Sequence, residues 1–330
     1  MPLVPPTLDD VKAARPVVSR HVPPTPLLRP APLAERLGFD VALKCETLNP
    51  TGAFKVRGGV YLASRLSDDE RRRGLVASST GNHGQSIAFG ARLFGTRATI
   101  YAPVGANPLK VAAMRALGAE VVEVGRDFDE AREAAERAAR QTGARYVHSA
   151  NEPDLIAGVG TYALEILDEL PDLDAVIVPV GGGSGLCGTA IVMKAVNPKI
   201  RVIGVQAEAM PAVYRSWKAR RPLALEGGRT FADGLATRVA FELTHDIYCR
   251  LVDDIRLVSE DDMRRAIGEL LETAHVLAEG AGAAPLAAAR QLAPELRGKT
   301  VALVVSGGNL TLDTLRWALA VDQPPRERPS

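Results

Sequence analysis

The sequence predicts an α/β fold with two open parallel-sheet α/β domains and a cleft between them. Two observations carry the prediction. Short apolar runs alternate with amphipathic helical stretches along the 330 residues, the pattern of strands joined by crossover helices. The stretch from 71 to 150 also holds a compact β-α-β-α series of its own, which reads as a smaller unit inserted into a larger one. The expected division is a large domain over 1–73 and 151–330 and a small domain over 74–150.

The strands fall at 41–44, 75–77, 98–101, 120–124, 175–179, 201–205 and 300–305, all short and dominated by apolar residues. Helices are expected after them, notably over 83–93, 108–117, 128–142, 185–196 and 260–278. There is no internal repeat and no low-complexity linker. The tail over 322–330 is rich in proline and charge and is expected to fray.

Composition excludes several classes. Forty Lys and Arg stand against 39 Asp and Glu, a net charge of +1, so no global attraction to nucleic acid or to an anionic membrane is expected. No 18-residue apolar run reads as a membrane span. Residues 1–10 lack the basic region, apolar core and cleavage site of a secretory signal. Cys45, Cys187 and Cys249 are widely spaced with no C-x-x-C pair, which argues for reduced thiols in the cytoplasm rather than a disulfide frame or zinc site.

Four loops carry the chemistry. Lys55 stands in Thr51-Gly52-Ala53-Phe54-Lys55-Val56-Arg57-Gly58-Gly59, small residues with one aromatic ring adjacent. A Schiff-base lysine needs a partly desolvated, cation-rich setting that keeps its amine unprotonated. Arg57 is expected to supply part of that setting, and Phe54 to lie against a flat ring. On this segment alone, an ordinary loop lysine ahead of a helix is the better reading.

The second loop, Gly181-Gly182-Gly183-Ser184-Gly185, follows the strand at 175–179 and opens a helix. Its glycines can turn tightly and aim successive N–H groups at an anion, while the helix dipole favours negative charge, so phosphate is the natural ligand. Three consecutive glycines cost too much backbone entropy for a simple tight turn to be the better reading.

The third, Ser78-Ser79-Thr80-Gly81-Asn82-His83-Gly84-Gln85, also follows a strand and starts a helix. Ser79, Thr80 and Asn82 can cap that helix, and the same hydroxyl and amide groups suit a carboxylate. The fourth is Ser306-Gly307-Gly308-Asn309 after the strand at 300–305. Ligands of open α/β sheets gather at the carboxyl ends of strands. Together the four loops suggest one cleft.

These motifs, in this order, resemble the fold-type II (tryptophan synthase β-like) pyridoxal phosphate (PLP) enzymes, specifically the threonine/serine dehydratase and serine racemase branch, over about 24–320. The resemblance implies that the cofactor PLP sits between the two domains with Lys55 bound to it covalently and Phe54 packed on its ring. It also implies Asn82 at the ring hydroxyl, Gly181, Gly182, Gly183, Ser184 and Gly185 on the phosphate, and Ser306 at the pyridine nitrogen. Ser79, Thr80, Asn82 and His83 would meet the substrate, a small β-hydroxy amino acid. Glu279 (cofactor) and Asp233 (substrate) match family positions as well.

The implied reaction is a lyase reaction, loss of water and then ammonia from L-threonine or L-serine to give a 2-oxo acid. Lys55 would be the base, and a neutral Ser306 would favour loss of the β-hydroxyl over transamination. Racemisation of serine, or dehydration of 3-hydroxyaspartate or another β-hydroxy amino acid, is the alternative. Thr80 stands where the racemases have a serine and the dehydratases commonly an alanine, so its hydroxyl is a second candidate catalytic group.

Gln206 and Ala212 replace the acidic residues that bind a divalent cation in those racemases, so no metal is expected there. The chain ends soon after the Ser-Gly-Gly-Asn turn, so no regulatory domain is expected. A homodimer or homotetramer is the expected assembly.

Two other classes compete. Gly183-Ser184-Gly185-Leu186-Cys187-Gly188 spells G-x-G-x-x-G after a strand, with Glu208 about twenty residues on, as in nicotinamide-dependent oxidoreductases. That reading leaves the Lys55 segment unexplained. A non-catalytic amino-acid-binding protein of two α/β domains would need no desolvated lysine.

Overall fold

The computed structural model describes residues 3–321, and the tail expected to fray lies outside them. In chain order the strands are β1 (Leu27–Leu28), β2 (Asp40–Cys45), β3 (Leu75–Ser78), β4 (Ala98–Ala102), β5 (Glu120–Glu123), β6 (Arg145–Tyr146), β7 (Ala175–Pro179), β8 (Arg201–Ala207), β9 (Asp254–Val258) and β10 (Thr300–Val305). They form two sheets. The larger has the order β1-β2-β10-β7-β8-β9 and is parallel except for the short β1 against β2. The smaller, β5-β4-β3-β6, is parallel throughout.

Burial explains why the central strands read as unbroken apolar runs. Helices cover both faces of the larger sheet, so each side chain of β7 meets a core. Val176 and Val178 face one cluster with Ile156 and Leu186, and Ala175 and Ile177 face the other with Leu286 and Ile267. Edge strand β5 instead exposes Glu120 and Glu123, charges that blunt pairing with another chain.

All seven strands expected from sequence are present, with ends displaced by two residues or fewer. The helix expected over 260–278 is corrected. It ends at Ala274, where His275 takes a left-handed conformation at φ 56°. The chain then runs extended so that the Glu279 N–H reaches the Gly307 carbonyl at 2.9 Å. Helical periodicity cannot report that tertiary bond.

Several elements escaped the sequence reading. The helix Leu8–His21 starts in the proline-rich N-terminal stretch, where Thr7 and Asp10 form a capping box. The helices Pro153–Glu169 and Gly280–Leu296 are buried on all sides over 155–166 and 280–289, so these stretches lack an amphipathic face to detect.

One helix contact positions the site. Lys55–Ser64 lies against Asn82–Leu93 so closely that a Cβ on Gly59 would stand 2.2 Å from the Ser86 carbonyl oxygen. The Ser86 hydroxyl accepts from the Gly59 N–H at 3.1 Å and donates to the Lys55 carbonyl at 2.5 Å. This contact sets the starts of two chemically rich helices side by side.

Candidate active site

The carboxyl ends of β2, β3, β6, β7 and β10 lead into loops around one cavity of about 810 Å³. Its wall includes Phe54, Lys55, Ser79, Thr80, Asn82, His83, Asp233, Glu279, Ser306 and all five residues from Gly181 to Gly185. Every residue expected to carry the cofactor or the substrate therefore borders the same space. That volume lies within the usual range of small-molecule sites, about 300–1,000 Å³.

Lys55 is the first residue of its helix, and its amine donates to the Ser184 hydroxyl at 2.8 Å and the Ser149 carbonyl at 3.1 Å. Among the described residues, the amine's hydrogen-bond partners include no carboxylate. Burial lowers its ammonium from the ordinary lysine value to about 8, so free amine exists near neutral pH. The Phe54 ring centroid lies 5.4 Å from the amine, and the ring packs edge-on against Tyr162.

Arg57 corrects an expectation. Its guanidinium is fully buried and turns away into the core, where it bonds Glu46 at 2.7 Å and Glu165 at 2.6 Å. Lys44 joins the same cluster through Glu165 at 2.6 Å. The amine of Lys55 thus owes its depressed pKa to desolvation, with no help from Arg57. Alternate residues of a helix start point in different directions, which residue type alone does not disclose.

The glycine loop brings the N-terminus of Ser184–Val196 to the cavity wall, and no side chain caps that helix. Its first N–H groups lack helical acceptors. Gly183 holds φ at 104°, and a Cβ there would stand 2.8 Å from the Thr244 Cβ. The conformation and the space both demand glycine.

The Asn82 amide donates to Glu279 Oε1 at 2.7 Å and accepts from Asn309 Nδ2 at 2.8 Å. Of the three residues expected to cap Asn82–Leu93, Ser79 alone contributes: its hydroxyl accepts from the Gly81 and Gly84 N–H groups at 3.1 and 2.8 Å. His83 Nε2 meets the Val147 carbonyl at 3.2 Å, and burial with the Lys55 charge holds its pKa near 3, so the ring is neutral.

Burial also raises Glu279 to about 7, with the Lys110 charge and the Asn82 bond opposing the rise and Asp233 adding to it. Asp233 is mostly exposed at the rim, ion-paired with Lys110.

Sequence reasoning missed His148 and assigned nothing to Asn309. His148 lines the cavity one residue before the carbonyl that holds Lys55, and its ring packs at 4.7 Å on Phe241. Burial and then the charges of Lys55 and Arg132 lower its pKa to about 4. It follows β6, which at two residues carries no detectable periodicity.

A desolvated lysine beside an uncapped helix N-terminus and a glycine turn fits a small phosphorylated aldehyde, because amine and anion site share one wall. The fold and site define an enzyme class that holds such a cofactor. The chain belongs to the pyridoxal-phosphate-dependent enzyme family, whose profile matches residues 18–307, and PLP is its cofactor.

It is similar to the L-threonine ammonia-lyase of Thermotoga maritima, 43% identical over 309 residues, 94% of this chain and 77% of that protein. It also superposes on the processed form of threonine deaminase isoform 2 from Solanum lycopersicum (TM-score 0.91, 30% identity, 96% of this chain and 92% of that one). Maize serine racemase matches comparably (TM-score 0.90, 30% identity, 96% and 97%). Among the described residues no helix is long and apolar enough to cross a membrane.

Proposed function

We propose that this protein is an ammonia-lyase that removes water and then ammonia from L-threonine or L-serine, with Lys55 as the cofactor-bearing residue and general base. The carrying observation is the Lys55 amine: desolvated, and poised between the Ser184 hydroxyl and the Ser149 carbonyl. The substrate named for the relatives in Thermotoga maritima and tomato favours threonine.

When bound, PLP supplies an electron sink next to the substrate α-carbon. The chain does the rest. Gly181 to Gly185 hold the phosphate with backbone N–H groups and the helix dipole. Phe54 would pack on the ring, and Ser306, Asn82 and Glu279 would hold its polar groups. Ser79, Thr80, Asn82, His83 and Asp233 take the substrate, its carboxylate meeting the hydroxyl and amide donors at the start of Asn82–Leu93. Lys55, released when the substrate amine takes its place, withdraws the α-proton. The β-hydroxyl departs with a proton as water, and hydrolysis of the freed enamine by a second water gives the 2-oxo acid and ammonia.

Racemisation of serine is the second reading. It rests on the hydroxyl-bearing Thr80 at the cavity wall and on the likeness to maize serine racemase. Incubation with L-threonine and L-serine, scoring 2-oxo acid against D-isomer, separates the two readings: D-isomer in excess of oxo acid overturns the lyase assignment.

The reading includes no metal, since Gln206 Oε1 already accepts from the Tyr214 N–H at 3.0 Å. It treats 74–150 as a small domain, because the strands of the smaller sheet run from Leu75 to Tyr146. Cytoplasmic residence accords with three free cysteines. A homodimer or homotetramer is the proposed assembly, to be read from light scattering.

A further inference from the structure

A run of hydrogen bonds enters the site from a main-chain carbonyl. Asn309 Nδ2 donates to the Thr51 carbonyl at 2.8 Å and to Asn82 Oδ1 at 2.8 Å, and Asn82 Nδ2 donates to Glu279 Oε1 at 2.7 Å. These residues come from four separate places: the loop before Lys55, the turn after β10, the first residue of Asn82–Leu93, and the cap of Gly280–Leu296.

The polarity of this chain is forced. An amide can present its oxygen or its nitrogen in nearly the same shape, so neighbours must decide which faces where. A main-chain carbonyl only accepts. Thr51 therefore commits Asn309 to point Nδ2 inward, and the second Nδ2 proton then requires an acceptor on Asn82. Asn82 must offer Oδ1 to Asn309, which leaves Nδ2 for Glu279 and one further N–H for the cavity. Asn309 reaches this place because Gly52 lacks a side chain: a Cβ there would stand 2.6 Å from Asn309 Oδ1.

We propose that Asn309 is a positioning residue that sets the amide orientation of Asn82, so that Asn82 offers an N–H donor to the cofactor ring. The inference rests on the proposed placement of Asn82 against that ring. Asn309 itself touches neither substrate nor cofactor in this scheme.

Asn309→Asp is the informative variant. An ionised aspartate keeps the size but only accepts, so Asn82 is driven to reverse its amide and to turn Oδ1 toward the ring and Glu279. Asn309→Leu removes the donor without imposing the reversal, and carries the test if the aspartate variant fails to fold. The readouts are the PLP dissociation constant by titration of cofactor-free protein and the near-visible absorption maximum of the loaded protein.

We expect Asn309→Asp to weaken PLP binding about ten-fold or more, the factor one hydrogen bond of about 1.4 kcal/mol carries, and to shift the absorption maximum. Asn309→Leu should weaken binding less than the aspartate variant and move the maximum in part.

Asn82→Ala separates the two ways of failing. If it changes neither readout, the placement of Asn82 falls. If it changes both while Asn309→Asp and Asn309→Leu leave the maximum in place and binding within two-fold, Asn309 orients nothing. A loss of melting temperature in either Asn309 variant, with unchanged spectrum and binding, also overturns the proposal.

Discussion

The backbone N–H of Phe54 donates to the carbonyl of Ser306 at 2.9 Å, and the adjoining residues Ala53 and Gly307 form an antiparallel bridge. The loop that carries Lys55 is thus stitched by main-chain bonds to the turn that ends β10, although the two lie near opposite ends of the chain. Both follow neighbouring strands of one sheet, β2 and β10, which pair in register from Asp40 and Thr300 to Cys45 and Val305. The lysine and the serine expected to flank the cofactor are held by the sheet itself, an arrangement more rigid than two free loops would give.

Replacing Lys55 with alanine should remove both the near-visible absorption of the loaded protein and turnover. A general base accounts for about 10²–10⁴ in rate, and the covalent attachment disappears with it. Spectra and single-turnover assays check this. Retained elimination would refute the assignment.

Gly183→Ala should destabilise the protein by about 1–3 kcal/mol, because φ of 104° and the crowding Thr244 side chain both oppose a Cβ. Phosphate affinity should fall in parallel, since the displaced turn is the proposed anion cradle. Denaturant titration with and without inorganic phosphate measures both effects, and an unperturbed variant would contradict the crowding.

Glu279 makes the cofactor-free protein sensitive to pH. Its folded pKa of about 7 lies above the ordinary 4.5, so the folded state binds more protons than the unfolded one between those values. Stability contributed by this group is fully present below about pH 4.5 and is lost as pH rises toward 7, by roughly 3–4 kcal/mol in all. Glu279→Gln should flatten that slope. Identical pH profiles for the two proteins, followed by denaturation, would exclude a raised pKa.

The buried cluster of Lys44, Glu46, Arg57 and Glu165 holds the Lys55 helix to the strand and helix beneath it. Removing one member leaves an uncompensated buried charge, so Arg57→Met should cost about 3–5 kcal/mol. Chemical denaturation tests it; a loss under about 1 kcal/mol would indicate that the cluster is weakly coupled.

Chelation should leave PLP affinity and elimination unchanged, given that Gln206 is engaged with Tyr214. A large loss of activity on dialysis against a chelator would point to a cation elsewhere in the molecule.

By itself the sequence determined the strands, the parallel α/β architecture and the four loops, because glycine conformations, helix starts and short unbroken apolar runs are local properties written in adjacent residues. It also marked Lys55, through the joint order of the four loops, since its own segment alone reads as an ordinary loop lysine ahead of a helix. Tertiary packing decided the rest. Whether Arg57 faced the cavity or the carboxylates of Glu46 and Glu165, and where Asn309 would meet Asn82, depended on segments far apart in the chain. The physical reason is that charge pairing and hydrogen-bond polarity are settled by which groups come within about 3 Å of one another. Only the closely crossed helices and the pairing of β2 with β10 bring those groups that near.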